Sequence, residues 1–114
     1  MRKLLVLLVV AAAAASMAVP ALAATKTVNV GDIWFISKAK NHKTVTAKVG
    51  DTVKWKWVGK FPHNVTVTSG PVKFKSKTQQ KGTFSRKITK AGTYKIICTI
   101  HGAKAQSMTL KVTK

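Results

Sequence analysis

Alternating apolar and polar residues are the feature of this chain that most limits the folds open to it. In the segment Val53-Lys54-Trp55-Lys56-Trp57, every second residue is apolar and the residues between them are lysines. Successive side chains of a β-strand point to opposite faces, so this pattern predicts a strand with one face in the core and the other in water. Beyond the N-terminal segment, no window has a convincing helical period.

Similar runs recur along the chain and are separated by residues typical of turns, such as Gly50-Asp51 and Ala91-Gly92. Short strands at this spacing predict an all-β fold, an antiparallel sandwich or barrel. The predicted strands are Lys26–Val30, Trp34–Ser37, Thr44–Val49, Thr52–Val58, Val65–Thr68, Val72–Lys75, Thr83–Thr89, Thr93–Cys98 and Met108–Thr113.

The N-terminal segment has the pattern of an export signal. Two basic residues precede the apolar run Leu4–Val19, and Ala21-Leu22-Ala23 is a small-x-small cleavage signature. We therefore expect residues 1–23 to be a signal peptide that is removed, and residues 24–114 to form one domain in the periplasm or outside the cell. The alternative is a retained membrane anchor, because the uncharged stretch is long enough to span a bilayer.

The chain is strongly basic, with 21 Lys and Arg residues against two acidic residues and a net charge of +19. Loss of the leader removes Arg2 and Lys3, which leaves +17. Such a charge predicts attraction to acidic surfaces, although lysines on the solvated faces of strands explain much of it. Asp32 and Asp51 both follow glycines and are interpreted as turn residues, so the chain has no carboxylate pair for acid–base catalysis and is not expected to be an enzyme.

Three side chains with metal-binding chemistry stand at strand ends. His63 lies where one predicted strand ends and another begins, Cys98 ends a strand, and His101 lies in the loop that follows. Because Cys98 alternates with Tyr94 and Ile96, its side chain is predicted to point into the core. A thiolate with two imidazoles suits copper and also zinc, whereas a buried structural cysteine beside a loop histidine is the simpler alternative.

Longer segments around these residues resemble a known family. Residues 61–65 (Phe-Pro-His-Asn-Val) and 92–102 (Gly-Thr-Tyr-Lys-Ile-Ile-Cys-Thr-Ile-His-Gly) are similar to the two copper-binding segments of the plastocyanin and pseudoazurin family of cupredoxins. Residues 49–55 (Val-Gly-Asp-Thr-Val-Lys-Trp) resemble the strand that precedes the first ligand in that family. The resemblance extends from about Lys48 to Val112.

This resemblance implies a Greek-key β-sandwich with one type 1 copper ion. The implied copper ligands are His63, Cys98 and His101, and Asn64 would join the two ligand loops by hydrogen bonds. A trigonal set of one thiolate and two imidazoles with a weak axial ligand is the blue-copper arrangement.

The axial ligand is where the chain departs from the family. The plastocyanin pattern is Cys, two residues, His, four residues and then Met, but here Gln106 occupies that position and Met108 lies two residues further on. Both residues share one strand face, so alternation cannot choose between them. Spacing favours Gln106, which resembles the axial glutamine of plant cupredoxins such as stellacyanin. Ligand chemistry favours Met108 if the loop is longer, and core packing is the other interpretation of Met108.

The function implied by the resemblance is that of a secreted, monomeric blue copper protein that carries single electrons. An acidic redox partner is expected to dock near His101, on an apolar patch with a basic rim. The residues expected in the patch are Phe61, Pro62, Gly102 and Ala103, and those expected in the rim are Lys60 and Lys104.

Two other functions remain open at this point. The same ligands would serve an extracytoplasmic copper carrier or scavenger. A metal-free basic module that binds acidic polymers is disfavoured, and nucleic-acid binding with it, because such surfaces need exposed aromatic residues. Here the three tryptophans, Trp34, Trp55 and Trp57, are interpreted as core residues.

Overall fold

A computed structural model describes residues 22–36 and 43–114. Of the expected signal peptide, all but its last two residues lie outside this range. The described residues form eight strands and one helical turn: β1 (Thr25–Gly31), β2 (Trp34–Phe35), β3 (Thr44–Lys48), β4 (Thr52–Trp57), β5 (Thr66–Ser69), β6 (Thr83–Lys87), β7 (Gly92–Ile97), α1 (Gly102–Ala105) and β8 (Ser107–Thr113).

The strands form two four-stranded sheets, with the orders β2-β1-β4-β6 and β3-β8-β7-β5. The predicted all-β sandwich is confirmed. Each sheet is mixed rather than purely antiparallel, because β1 runs parallel to β4 and β3 runs parallel to β8. The alternation of side chains fixes the buried face of a strand but not the direction of its neighbour, so the sequence pattern did not reveal these two parallel pairs.

The core lies between the two sheets and follows the predicted alternation. In β4, Val53, Trp55 and Trp57 are buried and Lys56 is exposed. Trp34 is only half-buried, because β2 is a two-residue edge strand. The buried apolar residues are Val28, Val30, Phe35, Ala47, Val53, Trp55, Trp57, Val65, Val67, Phe74, Ile88, Tyr94, Ile96, Cys98, Met108, Leu110 and Val112.

The predicted strand Val72–Lys75 is absent. This segment runs beside β5 and forms only an isolated bridge between Lys75 and Thr66. Pro71 has no amide proton for a sheet, and the preceding Gly70 has a φ of 152° and packs against Tyr94. The chain therefore enters the segment in a conformation that a regular strand does not continue, although Phe74 still reaches the core.

One end of the sandwich collects the loops that bear the predicted ligands. His63 lies between β4 and β5, and the segment from Cys98 to Gln106 joins β7 to β8 through α1. The turn between β1 and β2, which contains Asp32, meets the chain beyond the end of β4 through hydrogen bonds to Lys60. Among the residues that the structure describes, no helix has the length and apolar character needed to cross a bilayer.

Candidate metal centre

Three predicted residues, His63, Cys98 and His101, converge at this end of the sandwich. Their donor atoms all lie within 4.8 Å of one another. Nδ1 of His63 is 3.9 Å from the Cys98 sulfur, and Nδ1 of His101 is 3.6 Å from it. Two bonds of about 2 Å to one ion allow donor atoms up to about 4 Å apart, and both histidine nitrogens are within that distance of the Cys98 sulfur. A small adjustment of the two rings would let the three side chains hold a single metal ion.

Burial distinguishes the three side chains. His63 and Cys98 have no exposed surface, whereas His101 is partly exposed. The two imidazole rings are tilted by 43°, with their centroids 4.9 Å apart. Of the three donors, His101 is therefore the one nearest to solvent.

Backbone contacts fix His63 in place. Its amide donates to the carbonyl of Gln79 and its carbonyl accepts from the Gln79 amide, both at 3.0 Å. The indole Nε1 of Trp57 also donates to the His63 carbonyl, at 3.2 Å. An aromatic residue at the end of β4 thus contributes to the position of this imidazole.

Asn64 connects the two ligand loops. Its Nδ2 donates to the hydroxyl of Thr99 at 2.8 Å, and its Oδ1 accepts from the Thr99 amide at 3.1 Å. The same side chain contacts the hydroxyls of Thr78 and Thr66. Asn64 is buried, and two of its four hydrogen bonds hold the residue after His63 against the residue after Cys98.

Gln106 points its side-chain oxygen into the cluster. Its Nε2 donates to the carbonyls of Gly31 and Trp34 at 3.1 and 3.0 Å, which uses both amide protons. Its Oε1 is left facing Nδ1 of His101 at 3.2 Å. The side chain is fully buried, so this orientation is fixed by the protein alone.

Met108 has a different neighbour. Its sulfur accepts a hydrogen bond from Nε1 of Trp55 at 3.4 Å, and the side chain is buried in the core. The helical turn α1 places Gln106 at the start of β8, where its backbone carbonyl accepts from the Cys98 amide at 3.1 Å. This loop geometry separates two residues that strand alternation could not distinguish.

The contact between Asp32 and His63 was not predicted from the sequence. Asp32 was interpreted as a turn residue, yet its Oδ1 lies 3.1 Å from Nε2 of His63. The amides of Phe61 and Lys60 also donate to this carboxylate. These backbone donors, together with His63, lower the pKa of Asp32 to about 2. No local sequence signal marks a pairing between residues so far apart in the chain.

Apolar side chains are exposed beside the cluster. Phe61 and Ile100 are each about half exposed, at 54% and 51%, and Ile33 is 47% exposed. Pro62 and Ala103, which were predicted to belong to such a patch, are exposed as well. Ile33 and Ile100 were not predicted to contribute.

Comparison with known families decides the identity of this fold. The model of the copper-binding proteins of the plastocyanin/azurin family matches residues 27–113. The chain belongs to this family. The match covers most of the cupredoxin, including every residue of the cluster described above.

Solved structures of amicyanin are similar to this cupredoxin. A methionine-to-glutamine variant of amicyanin in the Cu(I) state is 28% identical, with a TM-score of 0.62, over 77% of this chain and 81% of that chain. An oxidised methionine-to-lysine variant is 27% identical, with a TM-score of 0.63, over 83% of this chain and 86% of that chain. Among curated proteins, no sequence matches this cupredoxin.

The cofactor of this cupredoxin is copper. The family binds it, and the donor set found here, one buried thiol and two imidazoles within reach of one ion, has the chemistry that copper requires. The metal-free binding module considered from the sequence is therefore not supported.

Proposed function

We propose that this cupredoxin is an exported one-electron carrier rather than an enzyme. The observation that carries the proposal is the convergence of His63 and His101 on the sulfur of Cys98, at 3.9 and 3.6 Å. Bound copper supplies the change between Cu(II) and Cu(I). His63, Cys98 and His101 would hold the ion, and the side-chain oxygen of Gln106 would be the fourth donor.

A rigid site favours electron transfer because little has to move when the charge changes. Three features restrain the proposed ligands: the backbone pairing of His63, the Asn64 bridge between the loops, and the two carbonyls that hold Gln106. The thiolate suits Cu(I), and imidazole accepts both oxidation states. The protein thus provides the same donors before and after transfer.

His101 is the proposed exit for the electron, because it is the one ligand of the cluster with exposed surface. The proposed apolar patch beside it comprises the expected Phe61, Pro62, Ala103 and the half-buried Gly102. Ile33 and Ile100 are added to it because they are exposed and adjoin Asp32 and His101 in the chain. Lys60 and Lys104 are exposed next to these residues in the chain. An acidic redox partner that docks a monomer here would be attracted by the lysines and brought close to His101 by the patch.

We propose that the protein is exported and acts outside the cytoplasm. Leu22 and Ala23 are exposed, which leaves the predicted cleavage site accessible. The amide nitrogen of Ala24 lies 2.8 Å from Oδ1 of Asp51. Cleavage after Ala23 would turn this nitrogen into an α-ammonium beside a carboxylate, and mass spectrometry of the exported protein would detect that new N-terminus.

Absorption spectroscopy with Cu(II) tests the electron-carrier proposal. We expect an intense band near the red end of the visible spectrum from the thiolate–copper bond, which disappears in Cys98→Ser. Voltammetry should give a reversible one-electron couple. Copper binding without the thiolate band would contradict the proposed ligand set.

The copper-carrier alternative is separated by a second measurement on the same protein. In an electron shuttle, self-exchange between the Cu(I) and Cu(II) forms of the protein should be faster than the loss of copper. Release of Cu(I) to a chelator within the time of one electron exchange would favour the carrier. Retention of both oxidation states through many cycles supports the shuttle.

A further inference from the structure

Asp32 is one of only two acidic residues in the chain, and its carboxylate faces a proposed copper ligand. We infer that Asp32 is a positioning residue for the metal centre: it holds the His63 imidazole with Nδ1 towards Cys98, and its negative charge stabilises the oxidised centre. The inference rests on the proposed function and adds a determinant of the reduction potential to it.

The turn that presents Asp32 is built around its carboxylate. The amides of Lys60 and Phe61 donate to it at 2.9 to 3.0 Å, so the loop before His63 is folded onto this one side chain. A Cβ atom at position 59 would collide with the carboxylate of Asp32. The close approach of the two residues therefore requires a glycine at this position. Asp32 is thus held by the amides of two consecutive residues of the ligand loop and packs closely against the glycine before them.

The backbone beside Asp32 is strained. Ile33 has a φ of 66°, in the left-handed region that β-branched residues rarely adopt. Strain of this kind persists where the surrounding structure over-determines a conformation, and it is concentrated at functional sites. Here the strained turn aims Asp32 at the loop that carries His63.

The contact with Asp32 determines which nitrogen of His63 faces the cluster. A carboxylate accepts hydrogen bonds and cannot donate them when ionised, so Nε2 of His63 carries the proton and donates to Oδ1. Nδ1 then has its lone pair free and points towards the Cys98 sulfur. A histidine that ligates a metal commonly donates its other nitrogen to a carboxylate, which fixes the tautomer and raises the basicity of the ligand.

The two histidines of the cluster differ in this respect. Within residues 22–36 and 43–114, the ring nitrogens of His101 have polar contacts with Cys98 and Gln106, and none with a carboxylate. His63 has no exposed surface, so Asp32 and not solvent is the partner of its Nε2 in the folded protein. The carboxylate is thus specific to one ligand and is not a general feature of the basic surface.

The charge of Asp32 acts on the redox equilibrium. Oxidation adds one positive charge at the centre, and a nearby negative charge stabilises that state more than the reduced one. The lone carboxylate at this end of a chain with a net charge of +19 therefore lowers the reduction potential. Asp51, the other acidic residue, precedes β4 at its opposite end, on the order of 20 Å away at about 3.3 Å per residue.

Two substitutions separate charge from orientation. In Asp32→Asn, the remaining oxygen can still accept from Phe61 and His63, so the variant removes the charge and keeps the contact. We expect the equilibrium with a fixed redox couple to shift about tenfold towards Cu(I), which is about 59 mV for a one-electron couple. In Asp32→Ala the contact is also lost, and the thiolate–copper band should broaden or shift.

Asp51→Asn is the matched control, because it removes the same charge and also loses a carboxylate that accepts backbone hydrogen bonds. Its equilibrium constant with the same redox couple should stay within about twofold of the wild-type value, because the charge of Asp51 is screened and lies far from the centre. A shift in Asp51→Asn as large as that in Asp32→Asn would show that net charge alone matters, and would overturn the inference.

A measurement on the metal-free wild-type protein tests orientation without any variant. Nitrogen-15 NMR of the His63 ring should show a single tautomer with the proton on Nε2. A proton on Nδ1, or equal populations of both tautomers, would overturn the inference. If the wild type lacks the thiolate band altogether, the proposed function fails. A normal band with an unmoved potential in Asp32→Asn refutes only the role of Asp32.

Discussion

The side-chain oxygen of Gln106 lies 3.2 Å from Nδ1 of His101, and both amide protons of Gln106 are used elsewhere. Gln106→Met should raise the reduction potential, because a thioether stabilises Cu(I) better than a carboxamide oxygen. We expect a shift of about tenfold or more in the equilibrium with a reference couple. Voltammetry of the two proteins measures it, and an unchanged or lower potential would remove Gln106 as axial ligand.

Met108→Leu is the counterpart to that substitution. The Met108 sulfur accepts the indole proton of Trp55 inside the core, so a leucine leaves that proton without a partner. Stability should fall by about 1 kcal/mol, measured by denaturant unfolding of the metal-free protein. The reduction potential should stay as it was. A large rise or fall in the potential would instead make Met108 a ligand.

Gly59→Ala tests the packing around Asp32 from the other side. The added methyl group meets the carboxylate, so the turn or Asp32 has to shift. A loss of stability of about 1–3 kcal/mol is expected from overpacking, together with a potential that rises towards that of Asp32→Asn. If Gly59→Ala loses stability but keeps the wild-type reduction potential, the packing of this turn does not affect the metal centre.

Asp51 makes stability depend on pH. The amides of Ala24 and then Lys48 donate to it and lower the pKa of its carboxyl group below the usual value. A group with a lowered pKa in the folded state stabilises the fold above its unfolded pKa of about 3.9, and that contribution is lost as the pH falls through the folded pKa. The free energies of unfolding of metal-free wild type and Asp51→Asn in urea should therefore differ clearly at about pH 6, and the difference should be smaller at about pH 3, below the unfolded pKa. A difference that is the same at both pH values contradicts this assignment.

Lys60 and Lys104 should control the encounter with an acidic redox partner. Changing both to glutamine should lower the second-order rate of electron transfer about threefold or more at low salt and reduce its dependence on ionic strength. Lys26 and Lys87 are a matched pair, because they are exposed at the opposite end of the sheet, beside Val53 and Thr52. An equal loss of rate in that control pair would argue against docking at the metal centre.

The sequence indicated the cluster in two ways: alternation aimed Cys98 at the core, and the resemblance to the copper-binding segments of the family implied that His63 and His101 join it. Cys98 continues the buried series of Tyr94 and Ile96, and its side chain is buried as predicted. The choice between Gln106 and Met108 was not available from alternation. It depends on the helical turn α1, which is too short to leave a periodic signal.

Other features depend on contacts that no local pattern encodes. Asp32 lies 31 positions before His63, and a glycine followed by an aspartate is typical of any turn. The parallel pairing of β1 with β4 escaped prediction because alternation is the same for either strand direction. At residues 72–75 the pattern is that of a strand, but Pro71 and the backbone of Gly70 prevent a regular ladder.

The hydrogen bond from Gln106 to the carbonyl of Gly31 joins positions 75 residues apart in the chain. The metal site is thus completed by two segments that are distant in the chain, the end of β1 and the residue that precedes β8. The orientation of the Gln106 oxygen therefore depends on a long-range contact and not on its own loop. We expect the four donors to be arranged together only in the folded domain, so that a short peptide spanning Cys98 to Gln106 would not reproduce the site.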